Sequence, residues 1–129
     1  LPAEELAGLS GTSEETKKFQ KELNAGTTAL VLLGVLARAS SPMYGYQIAR
    51  LIEASAGDIP LMKQGALYPV LRSLESSGLL ESEVEPSVSG PPRRYYRITE
   101  TGRRTLERWR EVWDRTKALV DSVMDGGQR

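Results

Sequence analysis

The sequence predicts a mainly α-helical fold with a small β-hairpin: a winged helix-turn-helix unit followed by a long C-terminal helix of the kind that pairs with a copy of itself. Three observations predict it. Apolar residues recur at helical spacing in three segments before Gly78, the pattern switches to strict alternation after it, and a heptad-spaced apolar seam fills the last thirty residues. At 129 residues the chain suits one domain with a modest core rather than two. The expected organisation is a flexible arm or short helix over residues 1–20, the winged unit over residues 21–98, and the dimerisation helix with a short tail over residues 99–129.

Residues 1–12 mix Pro, Gly, Ser and Glu without a period and are assigned no function. Ser13 before Glu14 and Glu15 has the chemistry of a helix cap and can start a short turn. The first long helix is expected over residues 21–38, with Leu23, Leu30, Val31, Leu33 and Val35 as apolar faces. It is nearly all apolar after Ala29, which places it at the centre of the fold. Ser41 before Pro42 is pushed out of the helical region and stops it. A second helix, starting at Met43 or Tyr44 and ending at Ala56, buries Gly45, Ile48, Ala49 and Ile52, with Gly57 as its stop and residues 58–60 as the connection.

The third helix, over about residues 65–77, carries Leu67, Val70, Leu71 and Leu74 at the same period. Pro69 cannot sit deep in a helix, so the helix must begin only a few residues earlier, which puts residues 64–68 in its first turn. After Gly78, Leu80, Ser82 and Val84 alternate with Glu81, Glu83 and Glu85 as in a half-exposed strand. Residues 86–92 are turn chemistry and residues 93–98 form the returning strand of a wing. Thr99 then caps a helix reaching about Met124. Its seam is Leu106, Trp109, Trp113, Thr116, Val120 and Val123, widened by Val112 and Leu119, and these eight residues are the expected dimer interface.

Composition removes several function classes. With no cysteine and no histidine, disulfides and the usual zinc, copper and iron ligand sets are unavailable, and no metal or cofactor is expected. No nucleophile elbow or glycine-rich phosphate loop is present, so the chain is not expected to be an enzyme. The longest apolar run, residues 29–37, is about half of the roughly 20 residues needed to span a membrane. Residues 1–11 lack a secretory signal pattern, which makes the cytoplasm the expected location. The net charge is zero, yet seven arginines lie between Arg93 and Arg110 against Glu100 and Glu107, and local fields decide contacts with phosphate.

Two helices joined by a turn and followed by a hairpin make a helix-turn-helix with a wing. Three strings sharpen that reading: Tyr44-Gly45-Tyr46-Gln47-Ile48, Gly65-Ala66-Leu67-Tyr68-Pro69-Val70-Leu71, and Gly90-Pro91-Pro92-Arg93-Arg94-Tyr95-Tyr96-Arg97-Ile98-Thr99. In this order, over residues 23–98, they resemble the PadR regulators. The third string is the most diagnostic, because a double-proline, double-basic, double-aromatic wing is not generic. The resemblance implies a DNA-binding repressor that works as a homodimer on a short double-stranded operator, with an effector that releases the DNA. Two departures bear on operator preference: Lys63 stands where the family often has a small capping residue, and Ala66 where it often has threonine.

The expected DNA-contacting residues are Tyr44, Lys63, Gln64, Ala66, Leu67, Tyr68 and Arg72 in and before the recognition helix, and Arg93 and Arg94 in the wing. Tyr68 can instead be half buried under the helix, and the arginines can instead deter strand pairing at an edge. Tyr96 and Ile98 are expected in the core. Trp109 and Trp113 either pack in the seam or wall a site for a small aromatic or cationic effector. In small drug-responsive PadR proteins a tryptophan eleven residues after the glycine matching Gly102 stacks on flat ligands, and Trp113 occupies that place. The competing reading is a winged-helix module that binds a protein partner and has no operator.

Overall fold

The structure is a computed structural model and describes residues 13–56 and 64–126. The expected arm over residues 1–12, the Gly57 stop, the 58–60 connection and Lys63 lie outside the described residues, as does the side chain of Gln64. The elements run α1 (Glu14–Arg38), β1 (Met43–Tyr44), α2 (Gly45–Ala56), α3 (Gln64–Ser76), β2 (Leu80–Glu85), β3 (Arg93–Ile98) and α4 (Glu100–Met124). The mainly helical winged fold is therefore the one the sequence predicts.

Helix α1 begins seven residues earlier than its periodicity implies. The Ser13 hydroxyl accepts the Thr16 N–H at 3.1 Å, as its residue type requires of a cap. No break follows, because residues 14–20 are good helix formers without proline or glycine, and they continue into the apolar half as one helix. That half buries Thr28, Leu32, Leu33 and Leu36 and packs on α2, α3, α4 and β3, which makes α1 the central element. Leu23, expected on an apolar face, is exposed.

The sheet is three-stranded rather than a bare hairpin, in the order β1-β3-β2. Met43 and Tyr44, expected to open a helix, instead pair antiparallel with Tyr96 and Tyr95. The Tyr44 N–H donates to Gln47 Oε1 at 3.1 Å, the reciprocal half of a capping box that marks Tyr44 as the cap of α2. A two-residue strand has no period for a sequence to display.

Helix α3 ends in a Schellman motif: Leu79 N–H donates to Leu74 O and Gly78 N–H to Glu75 O, both at 2.9 Å, with Gly78 at φ 81°. The β2–β3 register aligns Leu80 with Ile98 and Glu85 with Arg93. Thr99 joins three elements at one point. Its hydroxyl caps α4 by accepting the Gly102 N–H at 2.9 Å and donates to Gly78 O at 2.7 Å, while its own N–H donates to Leu79 O at 3.1 Å. The core collects Ile48 and Ile52 from α2, Leu67, Leu71 and Leu74 from α3, and Leu80, Tyr96 and Ile98 from the sheet around α1.

Candidate nucleic-acid interface

Successive strand residues face opposite sides of a sheet, and this sorts the wing. On β3, Tyr96 and Ile98 are buried and share the core face with Arg94, whereas Arg93, Tyr95 and Arg97 occupy the outer face. Across the ladder, Glu81, Glu83 and Glu85 stand opposite Arg97, Tyr95 and Arg93. The acidic row thus lies on the outer face of the wing, where Glu81 pairs with Arg97 at 3.2 Å.

The arginine-rich stretch is likewise divided. Arg97, Arg104 and Arg110 pair with Glu81, Glu100 and Asp114, and Arg103 donates to the Ala37 carbonyl at the end of α1. A simple count of arginines therefore overstates the basic surface. Arg93 and Arg94 are the two that line a cleft of about 540 Å³ between the wing and the helix-turn-helix.

Tyr44, Tyr46, Tyr68, Ser87 and Pro92 line the same cleft. The Arg93 guanidinium carbon sits 4.4 Å from the centre of the Tyr44 ring, which meets Tyr95 edge-on at 5.3 Å. Tyr46, exposed on α2, is held by Arg50, which donates to its hydroxyl at 2.9 Å. The Tyr68 ring lies so close to Gly45 that a Cβ there would come within 2.7 Å of its hydroxyl oxygen. Tyr68 is half-buried under the helix, as the alternative reading of it expects, and its remaining surface lines the cleft.

Ala66 and Arg72 are exposed on α3. Leu67 is a correction: it is fully buried in the core, because the helical period that puts Ala66 outside turns Leu67 inward, so its side chain is withdrawn from any DNA contact. Arg72, Glu75, Tyr68 and Arg94 surround the Tyr96 hydroxyl. Burial, first, and the Glu75 carboxylate, second, push that hydroxyl up from its ordinary value, while Arg94 and Arg72 pull it back.

A second cavity of about 480 Å³ opens between α1 and α4. Trp109, Val112, Trp113 and Thr116 form one wall, and Glu22, Leu23, Gly26, Thr27 and Leu30 of α1 form the other. Sequence reasoning found the first wall from its heptads and missed the second, since Glu22, Gly26 and Thr27 carry no apolar signal. The expected dimer seam also divides. Leu106 and Trp109 pack on the chain's own core, whereas Val112, Leu119, Val120 and Val123 are exposed along the outer half of α4. Among the described residues no cluster of acidic residues could hold a metal ion, and no helix is long and apolar enough to cross a membrane.

A three-helix core with a recognition helix, a β-wing and a cleft where the wing's arginines meet the helix starts defines the class: a winged helix-turn-helix DNA-binding domain. The chain belongs to the PadR-like family of transcriptional regulators, whose profile matches residues 32–108. It is similar in structure to a PadR family transcriptional regulator from Eggerthella lenta DSM 2243, at 32% identity and a TM-score of 0.73, over 88% of this chain and 95% of that one. It is also similar to a PadR family transcription regulator from hypervirulent Clostridium difficile R20291, at 26% identity and a TM-score of 0.62, over 77% of this chain and 99% of that one. An uncharacterised protein of Lysinibacillus sphaericus is 31% identical over 83 residues, which are 64% of this chain and 76% of the relative. The chain is thus a DNA-binding regulator of transcription and not an enzyme.

Proposed function

We propose that this regulator is a homodimeric repressor that holds operator DNA through α3 and the wing and releases it when a flat aromatic or cationic effector binds beside Trp113. The convergence of Tyr44, Tyr68, Arg93 and Arg94 on one cleft between the wing and the start of α2, with Tyr68 reaching it from α3, carries the reading. Gln64, Ala66 and Arg72, with Lys63 just before them, supply base-edge and phosphate contacts from the recognition helix, since Gln pairs well with adenine and Arg with guanine or phosphate. The exposed Val112, Leu119, Val120 and Val123 of α4 are the surface that a second copy covers. Two recognition helices must then enter successive major grooves about 34 Å apart, so a small change at the seam pulls one of them out of register with its half-site.

The effector reading is supported by the cavity between α1 and α4, where both indoles face space that is mostly apolar and Glu22 offers a counter-charge to a cation. Fragments of genomic DNA, including the region upstream of its own gene, should be enriched by the protein, and a planar cationic compound should release them. Quenching of tryptophan fluorescence in a Trp109→Phe variant that keeps Trp113 reports the binding directly. Enrichment that no planar compound disturbs, with no quenching, leaves a repressor whose α1–α4 cavity is structural. No enrichment of any fragment overturns the operator.

A further inference from the structure

We propose that the two adjacent wing arginines divide the work of the cleft: Arg93 meets the nucleic-acid backbone, while Arg94 is a positioning residue that straps the wing to Glu75 of α3 through the Ser82 hydroxyl. The first half rests on the DNA-binding reading above; the second can be read without DNA.

The division starts from strand geometry, which sends neighbouring side chains to opposite faces. Arg93 stands opposite Glu85 in the ladder, yet its guanidinium lies over the Tyr44 ring at 4.4 Å. Stacking occupies the flat face of a guanidinium and leaves its in-plane N–H edges available. Among the described residues none of those edges makes a hydrogen bond or an ion pair, so Arg93 is a pre-oriented fork of the kind that binds phosphate.

Arg94 is committed elsewhere. Its Nη1 donates to Ser82 Oγ at 2.9 Å, and Ser82 Oγ donates to Glu75 Oε2 at 2.7 Å. The polarity is forced, because a guanidinium only donates, a carboxylate only accepts, and a hydroxyl between them does both. The relay therefore runs from β3 across β2 to the last turn of α3. Glu75 lies eleven residues after Gln64, about 16 Å along the helix axis, so the strap grips the end of α3 remote from its recognition turn. The bond to Ser82 tethers the Arg94 guanidinium beside the Ser82–Glu75 relay, so a phosphate that drew Arg94 outward would have to break that bond and leave the Ser82 hydroxyl without its donor. The strap instead fixes the angle between wing and recognition helix, which sets where Arg93 meets the duplex.

The test uses the full chain and a labelled duplex of arbitrary sequence, titrated at several salt concentrations. Arg93→Ala should reduce the salt slope by about 0.9, the amount expected for one phosphate contact. Arg94→Ala should keep the parental slope and weaken binding about two- to tenfold, as removal of a positioning hydrogen bond does. Ser82→Ala should weaken it equally and add nothing to Arg94→Ala, and Ser82→Thr, which keeps the hydroxyl, should restore binding. Without DNA, hydrogen exchange at the wing amides should speed up in Arg94→Ala and Ser82→Ala and stay parental in Arg93→Ala. A slope lowered equally by both arginine variants overturns the division, as do additive effects of Ser82→Ala and Arg94→Ala. A parent that binds no duplex overturns the role of Arg93 together with the regulatory reading, and the exchange rates still decide the strap.

Discussion

Two glycines show how differently a missing side chain can matter. A Cβ on Gly102 would collide with the Leu79 carbonyl oxygen and sit 2.7 Å from Ile98 Cγ1, so α4 is held tight against the end of α3 by backbone that cannot yield. Gly102→Ala should destabilise the fold by about 1–3 kcal/mol, the usual cost of overpacking, and thermal unfolding will show it. At Gly45 the obstacle is the ring of Tyr68, a side chain that can turn away. Gly45→Ala should therefore leave stability closer to the parent but displace Tyr68 from the cleft, and weaker duplex binding by a folded variant is the expected result. Base-reading and phosphate-binding residues separate in the same way. Changing Gln64 should alter which sequences are preferred with the salt slope nearly intact. Arg93→Ala combined with Arg94→Ala should instead weaken binding to any duplex and flatten the slope by about 0.9, the one phosphate that Arg93 neutralises, with Arg94 adding weaker binding but no further change of slope.

At the scale of elements, the caps were legible and the edge strand was not. Ser13 and Thr99 are capping residue types in front of acidic first turns, and both cap as their chemistry requires. They are not equivalent. Ser13 serves one exposed helix end, while Thr99 also bonds Gly78 O and so ties the start of α4 to the turn after α3. Thr99→Ala should cost more than the ~1 kcal/mol typical of a cap, and Ser13→Ala less, with Thr99→Ser recovering most of the deficit in denaturant titrations. Strand β1 leaves no mark in the sequence because Met43 and Tyr44 are apolar residues next to a helix, and two residues define no period. What makes them a strand is Tyr95 and Tyr96, far along the chain, offering an open edge.

For the molecule as a whole, the heptad seam of α4 divides into a core-packed part and an exposed part that spacing alone does not separate. Leu106 and Trp109, partly buried, pack on the core of their own chain, so Leu106→Asp should destabilise the protomer by setting an unpaired carboxylate against that core. Val120 is exposed on the outer half of the helix, and Val120→Asp should leave a folded monomer. Sedimentation distinguishes these outcomes. A Val120→Asp protein that stays dimeric would move the interface off the outer half of α4, and one that loses its helical signal would join that half to the core.

Local pattern was enough to establish the winged fold, the order of its helices and the position of the wing, because helical period, strand alternation and turn chemistry each leave a local signal there. It was also enough for the cleft-lining residues Tyr44, Tyr68, Arg93 and Arg94, through short strings whose spacing survives without coordinates. Three-dimensional packing was needed to withdraw Leu67 into the core, to put the acidic row on the outer face of the wing, and to make α1 half of the cavity beside Trp113. It was needed equally to join Arg94 to Glu75 through Ser82. These relations depend on which face of one element meets which face of another, and that is settled between residues far apart in the chain, where no local period reaches.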